Sequence, residues 1–395
     1  MRIYFDHNAT TPVDSAVADA VVHALRDQFG NASSIHSFGQ TAKSLVDDAR
    51  ANVAALVGGG PQEVVFTSGG TESDNLAVRG AAEALAPTNR RHLVASAIEH
   101  EAVLHTLKAL GKQGWTTTLI PVGASGVVSV EDLREAVTDK TALVSVMHAN
   151  NEIGTIQPIR ELADVAHEHG AVFHTDAVQT AGKLALDVSS LGVDLLSLSA
   201  HKFNGPKGVG ALWVRRGSRL VATSTGGRQE RNRRAGTENV PGIVGLGVAA
   251  RLAIGRREAE HVRLSELRDR LEQGILSKVP NTTVNGEPAS RVHNTTNVSF
   301  DRVEAESLLI GLDLEGVAVS TGSACSSGTL EPSHVLRAMG FSPHRAQSSI
   351  RFSLGQGNTE EEVDKVIEVL PRVVEKLRAL TGTSRGTTRV AGVRS

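Results

Sequence analysis

Ser197 to Val214 reads SLSAHKFNGPKGVGALWV. The apolar run Leu195–Leu198 has the length and make-up of a buried strand, and Val209–Val214 reads as another. Between them lies a polar turn with Lys202 near its head. A lysine directly after a buried strand is unexpected, because such positions are apolar where the site is merely structural. It either snorkels to solvent from the strand end or works as a Schiff-base amine, which partial desolvation deprotonates and makes nucleophilic.

Outward from this pair the alternation repeats. Strands are predicted at Glu63–Phe66, His92–Ala95, Thr117–Ile120, Ala142–Met147 and Ala171–Thr175. Helical periodicity fills Ser73–Ala84, Ala102–Leu110, Val130–Val137 and Ile159–His167. Alternating strands and helices imply an α/β fold, with a mostly parallel seven-stranded sheet between helices. Ligands of such sheets bind beyond the C-terminal strand ends. The unusual polar stretches sit there: TSGGTESDN, IEHE, HANNEIG, DAVQ and SAHKF each follow a predicted strand.

Pyridoxal phosphate (PLP) needs a lysine, an acid for its ring nitrogen, a phosphate cradle and a group over the ring. Asp176, at a strand end 26 residues before Lys202, suits the ring nitrogen, although a helix N-cap has the same signature. Thr67–Ser73, TSGGTES, is a Gly-rich turn between strand and helix whose amides suit a phosphate, with Thr71 adding a hydroxyl. Taken alone such a turn is common. His100 would stack on the ring or move protons; a lone loop histidine is more often structural. GPKGVG lacks a P-loop's GK[ST] ending. The His100/His105 and His167/His169 pairs lack the spacing and acidic partners of a catalytic zinc helix, and no metal site is expected.

Composition narrows the class. The 395 residues are 40% hydrophobic, with 41 basic against 43 acidic side chains, so no nucleic-acid or membrane surface is expected. The N-terminus MRIYFDHNATTP reads as a short strand and a turn, without the apolar stretch of a signal peptide. The expectation is a soluble cytoplasmic protein. Its single cysteine, Cys325, excludes an internal disulfide and a multi-thiolate metal site. It lies in STGSACSSGT, which has loop composition, so it reads as a lone nucleophile or carrier.

A long helical pattern, Pro241 to Lys278, joins a second alternating region with strands TNVSF and VAVST and helical patterns at Glu304–Leu312 and Glu360–Ala379. Pro371 is expected to kink or interrupt the last of these. The expected organisation is a large domain over 15–258, a smaller α/β domain from 1–14 with 259–379, and a disordered tail over 380–395.

Jointly, SGGTESDN, IEHEAVL, MHANNEIGTIQP, TDAVQTAGK, SAHKFNGPKGVGAL, STGSACSSG, EPSHVLRAMG and SSIRFSLG resemble the motifs of cysteine desulfurases of the NifS/IscS type. These are fold-type I PLP enzymes of the class V aminotransferase group. The resemblance runs from IYFDHNATTP to about residue 375, and the Cys325 loop resembles the long-loop branch. It implies a homodimer that takes sulfur from L-cysteine, releases L-alanine and passes a Cys325 persulfide to an acceptor, by default for iron–sulfur cluster assembly. A selenocysteine lyase and a non-catalytic sulfur-carrier scaffold are the alternatives.

Carried over by position, Lys202 would hold PLP covalently, Asp176 would pair with the ring nitrogen and Gln179 with the ring oxygen. His100 would stack on the ring, and Asn151 would touch it. Gly70, Thr71, Ser199 and His201 would hold the phosphate, with Thr237 reaching it from the neighbouring subunit. Arg351 would clamp the substrate carboxylate, with Asn31 also in the substrate site. The family usually has Gly-Asn-Pro where this chain has Gly30-Asn31-Ala32. Its three-glycine turn is here Thr225-Gly226-Gly227, followed by RQERNRR.

Overall fold

The computed structural model describes residues 2–322 and 332–383. Cys325, and the part of the expected tail beyond residue 383, lie outside the described residues. Among the described residues there are twelve strands: β1 (Ile3–Tyr4), β2 (Val64–Thr67), β3 (His92–Ser96), β4 (Thr116–Ile120), β5 (Thr141–Ser145), β6 (Val172–Asp176), β7 (Leu195–Ser199), β8 (Gly210–Val214), β9 (Thr282–Val284), β10 (Thr295–Phe300), β11 (Val317–Ala318) and β12 (Ser349–Ser353).

Seven of them form one sheet in the order β2-β8-β7-β6-β5-β3-β4. Only β8 runs antiparallel to its neighbours, so the sheet is mostly parallel, as the alternation of patterns requires. Both faces are covered. Val94, Val144 and Leu196 pack into one apolar cluster, while Leu93, Leu143 and Leu195 pack into another beneath the helices Gly70–Leu85 and Glu101–Gly111. Burial on two sides explains why these strands read as continuous apolar runs and not as alternating ones.

A third apolar cluster gathers Phe300, Phe352, Leu308, Val366 and Leu370 around the antiparallel sheet β12-β10-β9. Ile3 and Phe5 join it through the pairing of β1 with β11, although some 300 residues of sequence lie between them. The 39-residue helix Val240–Lys278 spans two cores: Ile243, Leu246 and Ala250 pack in the first cluster, and Leu264, Leu271 and Ile275 in the third. No helix among the described residues is long and apolar enough to cross a membrane.

Two expectations need correction. The last helix is not interrupted at Pro371 and runs from Glu360 to Thr383, past the start of the expected tail. Val363, Val366, Leu370 and Val374 bury one face of it on both sides of the proline. That packing outweighs one lost backbone hydrogen bond. The predicted strand VAVST is paired only at Val317–Ala318, and Ser320 forms an isolated bridge with Arg351.

Candidate active site

The loops leaving the C-terminal ends of β2, β3, β5, β6 and β7 meet around a cavity of about 360 Å³, within the usual range for small-molecule sites. Gly70, Thr71, His100, Asn151, Asp176, Gln179, Ser199, His201, Lys202 and Arg351 all line it, with Asn8, Asp74, Ser320 and Gly322 among others. A parallel sheet explains this convergence, because every βα loop emerges on the same side.

One wall is built for an anion. Gly69 has φ 151° and ψ −176°, a backbone region open essentially only to glycine. From there the helix Gly70–Leu85 starts with no side-chain cap, so its first amides and the positive end of its dipole remain available. A Cβ on Gly70 would come within 2.9 Å of Val178. Ser199 and His201 complete this wall. His201 Nδ1 pairs with Thr10 Oγ1 at 3.1 Å, and burial, then Lys202 and Lys207, lower its pKa to about 4. At neutral pH it therefore offers a hydrogen bond and no charge.

The floor is acidic. Asp176 is buried, and its Oδ1 accepts from the Val178 amide at 2.8 Å. It is thus an N-terminal turn cap and a cavity carboxylate at once. Burial raises its pKa, opposed by His100 and Lys202. Burial also drives Asp74 well above the carboxylate range and Glu99 to about 8; among the described residues Asp74 Oδ1 and Glu99 Oε2 make no hydrogen bond, although His174 Nε2 lies 3.7 Å from Asp74 Oδ1. Three such acids cannot all ionise together. Asp176, facing His100 and Lys202, is the one placed to carry the charge, and a cationic ring nitrogen would satisfy it. His100 caps the helix Glu101–Gly111, its Nδ1 accepting from the Ala102 amide at 3.1 Å. In that geometry the proton sits on Nε2.

Lys202 Nζ donates to the carbonyls of Asn8 at 2.6 Å and Ala9 at 2.8 Å. Burial, then Arg351, lower its pKa to about 8. Arg351 is buried; Nη1 donates to the Asn151 carbonyl at 2.9 Å and Nη2 meets Asp6 Oδ1 at 2.6 Å. Its Nε is unpartnered. A substrate carboxylate therefore has to share this guanidinium with Asp6. An aldehyde-accepting amine, a buried carboxylate and an anion cradle in one cavity fit the parts of PLP.

Some residues fall elsewhere. Asn31 and Thr237 are exposed and do not line this cavity; Asn31 Oδ1 instead accepts from the Ser33 amide at 2.8 Å. The arginine-rich segment before Thr237 is tied down by a buried, two-pronged pair between Arg50 and Glu230, at 2.7 and 2.8 Å, and by Arg234 on Glu72 at 2.9 Å. Gln179, expected on the ring oxygen, has both polar atoms engaged, Nε2 donating to the Asn8 carbonyl and Oε1 accepting from Lys183.

Sequence reasoning missed Asn8, Lys183, Asp6 and Asp74. Asn8 is a buried hub whose side chain reaches Asn151, Thr295, Asn294 and Lys183. Lys183, lowered to about 7 by burial and by Lys202 and Arg351, follows Gln179 by four residues, a spacing that could have flagged it.

Residues 3–366 match the aminotransferase class-V family. A cysteine desulfurase IscS from Methanosarcina thermophila is 50% identical over 382 residues, 96% of this chain and 93% of the relative. A solved NifS-like protein has a TM-score of 0.90 at 38% identity, covering 95% of this chain and 100% of its own. SspA in complex with cysteine has a TM-score of 0.79 at 37% identity, covering 90% and 99%. By that match and these relatives, the chain belongs to the class-V aminotransferase family.

Proposed function

We propose that the protein is a PLP-dependent cysteine desulfurase that moves sulfur from L-cysteine to Cys325 and releases L-alanine. The observation that carries this reading is the lining of one cavity. Gly322, three residues before the only cysteine in the sequence, lines it together with Lys202, Asp176 and Arg351. The segment that carries Cys325 in the sequence therefore leaves from the wall of that cavity.

When bound, PLP supplies a covalent handle for the substrate amine and a sink for the electrons of its Cα–H bond. Lys202 would hold the cofactor through Nζ and would take the Cα proton of the bound substrate. Asp176 keeps a proton on the ring nitrogen. Ser199, His201 and the amides after Gly69 hold the phosphate, with Gly70 and Thr71. His100 covers the ring and moves protons through Nε2, while Gln179 and Asn151 border it. Arg351 orients the substrate carboxylate. Cys325 then attacks the substrate sulfur as a thiolate. A sulfur–sulfur bond forms, the Cβ–S bond breaks with its electron pair left on carbon, Cβ gains a proton, and the proton that Lys202 took returns to Cα. The products are alanine and a Cys325 persulfide, passed on to an acceptor protein of iron–sulfur cluster assembly.

We read residues 15–258 as the cofactor-binding domain and 1–14 with 259–379 as the smaller domain that carries Cys325. The unit is a homodimer. Phe29, Ile35 and Phe38 are 72%, 93% and 58% exposed, Phe29 stacks on Phe38, and Ile35 lines a largely polar groove with Arg228, Gln229 and Glu238. Exposed apolar surface of this kind marks an interface. Asn31 and Thr237 lie on these same segments, so both serve the partner's pocket. Sedimentation of a fully active monomer at assay concentration would refute the dimer.

Three measurements test the site. Incubation with L-cysteine should yield alanine and a mass gain of one sulfur on the Cys325 peptide, and faster turnover of selenocysteine would favour the lyase alternative. PLP capture by the apoenzyme should accelerate about tenfold per pH unit up to about 8 and then level off, because only unprotonated Lys202 reacts. A flat rate between pH 6 and 9, on the order of three units, would rule out a lysine with this pKa. Gly69→Ala introduces strain of about 1–3 kcal/mol, so PLP should bind roughly five- to hundredfold more weakly in a fluorescence titration. Unchanged affinity would remove that turn from the phosphate site.

A further inference from the structure

We propose that Glu152 is a positioning residue for sulfur transfer: one buried carboxylate fixes both flanks of the segment that carries Cys325. The inference rests on the reading of Cys325 as sulfur acceptor.

Glu152 is 1% exposed, adjoins the cavity residue Asn151, and takes no part in the chemistry above. Its backbone is pinned, the amide donating to Asn150 Oδ1 at 2.8 Å and the carbonyl accepting from Asn297 Nδ2 at 3.1 Å. Its side chain is therefore aimed by the frame and not by solvent. On the far flank, Ser333 Oγ donates to Glu152 Oε2, and the same hydroxyl accepts the Leu336 amide at 3.1 Å. This contact sets the start of the helix His334–Ala338. His334 then meets the Glu99 carbonyl at 3.0 Å, next to His100.

On the near flank, Gly322 has φ +89° and packs against the same carboxylate. A Cβ there would lie 3.1 Å from Glu152 Cγ and 3.1 Å from Oε2. The Gly322 amide donates to Ser320 Oγ at 3.0 Å, and the Ser320 carbonyl accepts from the Arg351 amide at 2.7 Å. One flank is thus referenced to the arginine that holds substrate, and the other to the strand end that carries His100. Burial raises the Glu152 pKa, with the Ser333 hydrogen bond, His334 and Arg351 opposing. A buried acid is costly to retain for packing alone. Fixing the two flanks lowers the entropy lost when the intervening residues bring a thiol to a small target. Reaction rates respond steeply to such placement.

The test uses holoenzyme variants Glu152→Ala, Glu152→Gln and Ser333→Ala. Two quantities are read: the cysteine-dependent change in the PLP absorbance, and the single-turnover rate of Cys325 persulfide formation by mass spectrometry. In Glu152→Ala the absorbance titration should keep its midpoint within about twofold, while persulfide formation falls roughly ten- to hundredfold. Ser333→Ala should show the same split. Glu152→Gln should restore most of the rate, because its amide oxygen still accepts from Ser333. An unchanged persulfide rate, or an equal loss in both readouts, overturns the inference. If Glu152→Ala fails to hold PLP, Ser333→Ala decides by the same criteria. A wild type that forms no Cys325 persulfide overturns the desulfurase reading itself. A wild type that does, beside an unimpaired Glu152→Ala, overturns this inference alone.

Discussion

Lys202→Ala should lower alanine release from cysteine roughly 10³-fold or more, because it removes both the covalent anchor of PLP and the base for the Cα proton. The variant should lose its PLP absorbance on gel filtration, since the phosphate wall alone holds the cofactor reversibly. The fold should survive. Among the described residues Lys202 Nζ bonds only the carbonyls of Asn8 and Ala9, and the buried charge opposes folding. The sign follows from its pKa, lowered from 10.5 to about 8 mainly by burial. Between those values the unfolded chain binds a proton that the folded chain lacks, so the lysine's contribution to stability rises with pH. Apoenzyme of the alanine variant should therefore show a flatter stability curve across that window. A borohydride-reducible PLP–lysine adduct surviving in Lys202→Ala would move the anchor to another lysine. Lys183, also buried and lowered to about 7, is the first to test.

Cys325→Ser should separate binding from sulfur transfer. Lys202, Asp176, Gly70 and Arg351 are left unchanged, so PLP stays bound and cysteine still changes the colour of the protein. Transfer should stop, because a serine hydroxyl is scarcely ionised near neutral pH and forms no persulfide. Alanine production should fall to background, with no added sulfur on the peptide. Stability should shift by less than about 0.5 kcal/mol, because the segment STGSACSSGT has no large apolar side chain to pack and the exchange keeps the size. Turnover at the wild-type level would mean that the lone cysteine is incidental, and the mechanism above would have to be dropped.

Period and punctuation made the sheet legible without coordinates. Every predicted strand from Glu63 to Val214 lies within about two residues of an observed one, because apolar runs buried on both faces leave an unmistakable pattern. The same pattern placed Asp176, His100, Gly70, Ser199 and Lys202 at strand ends, and a parallel sheet delivers strand ends to one place. The cysteine count and its loop of small residues singled out Cys325, and resemblance to known motifs added Arg351. What sequence order could not show is which distant residues share an atom. Asn8 meets Asn294, Lys183 and Lys202; Asp6 holds Arg351; and Glu152 touches both Gly322 and Ser333. None of these pairings has a period or a local spacing. They arise where the N-terminal segment threads between two cores, and where burial leaves a polar group only the partners that the fold brings to it. The uninterrupted helix through Pro371 has the same origin. Local chemistry argues for a break there, and packing on both sides of the proline, visible only in three dimensions, decides against it.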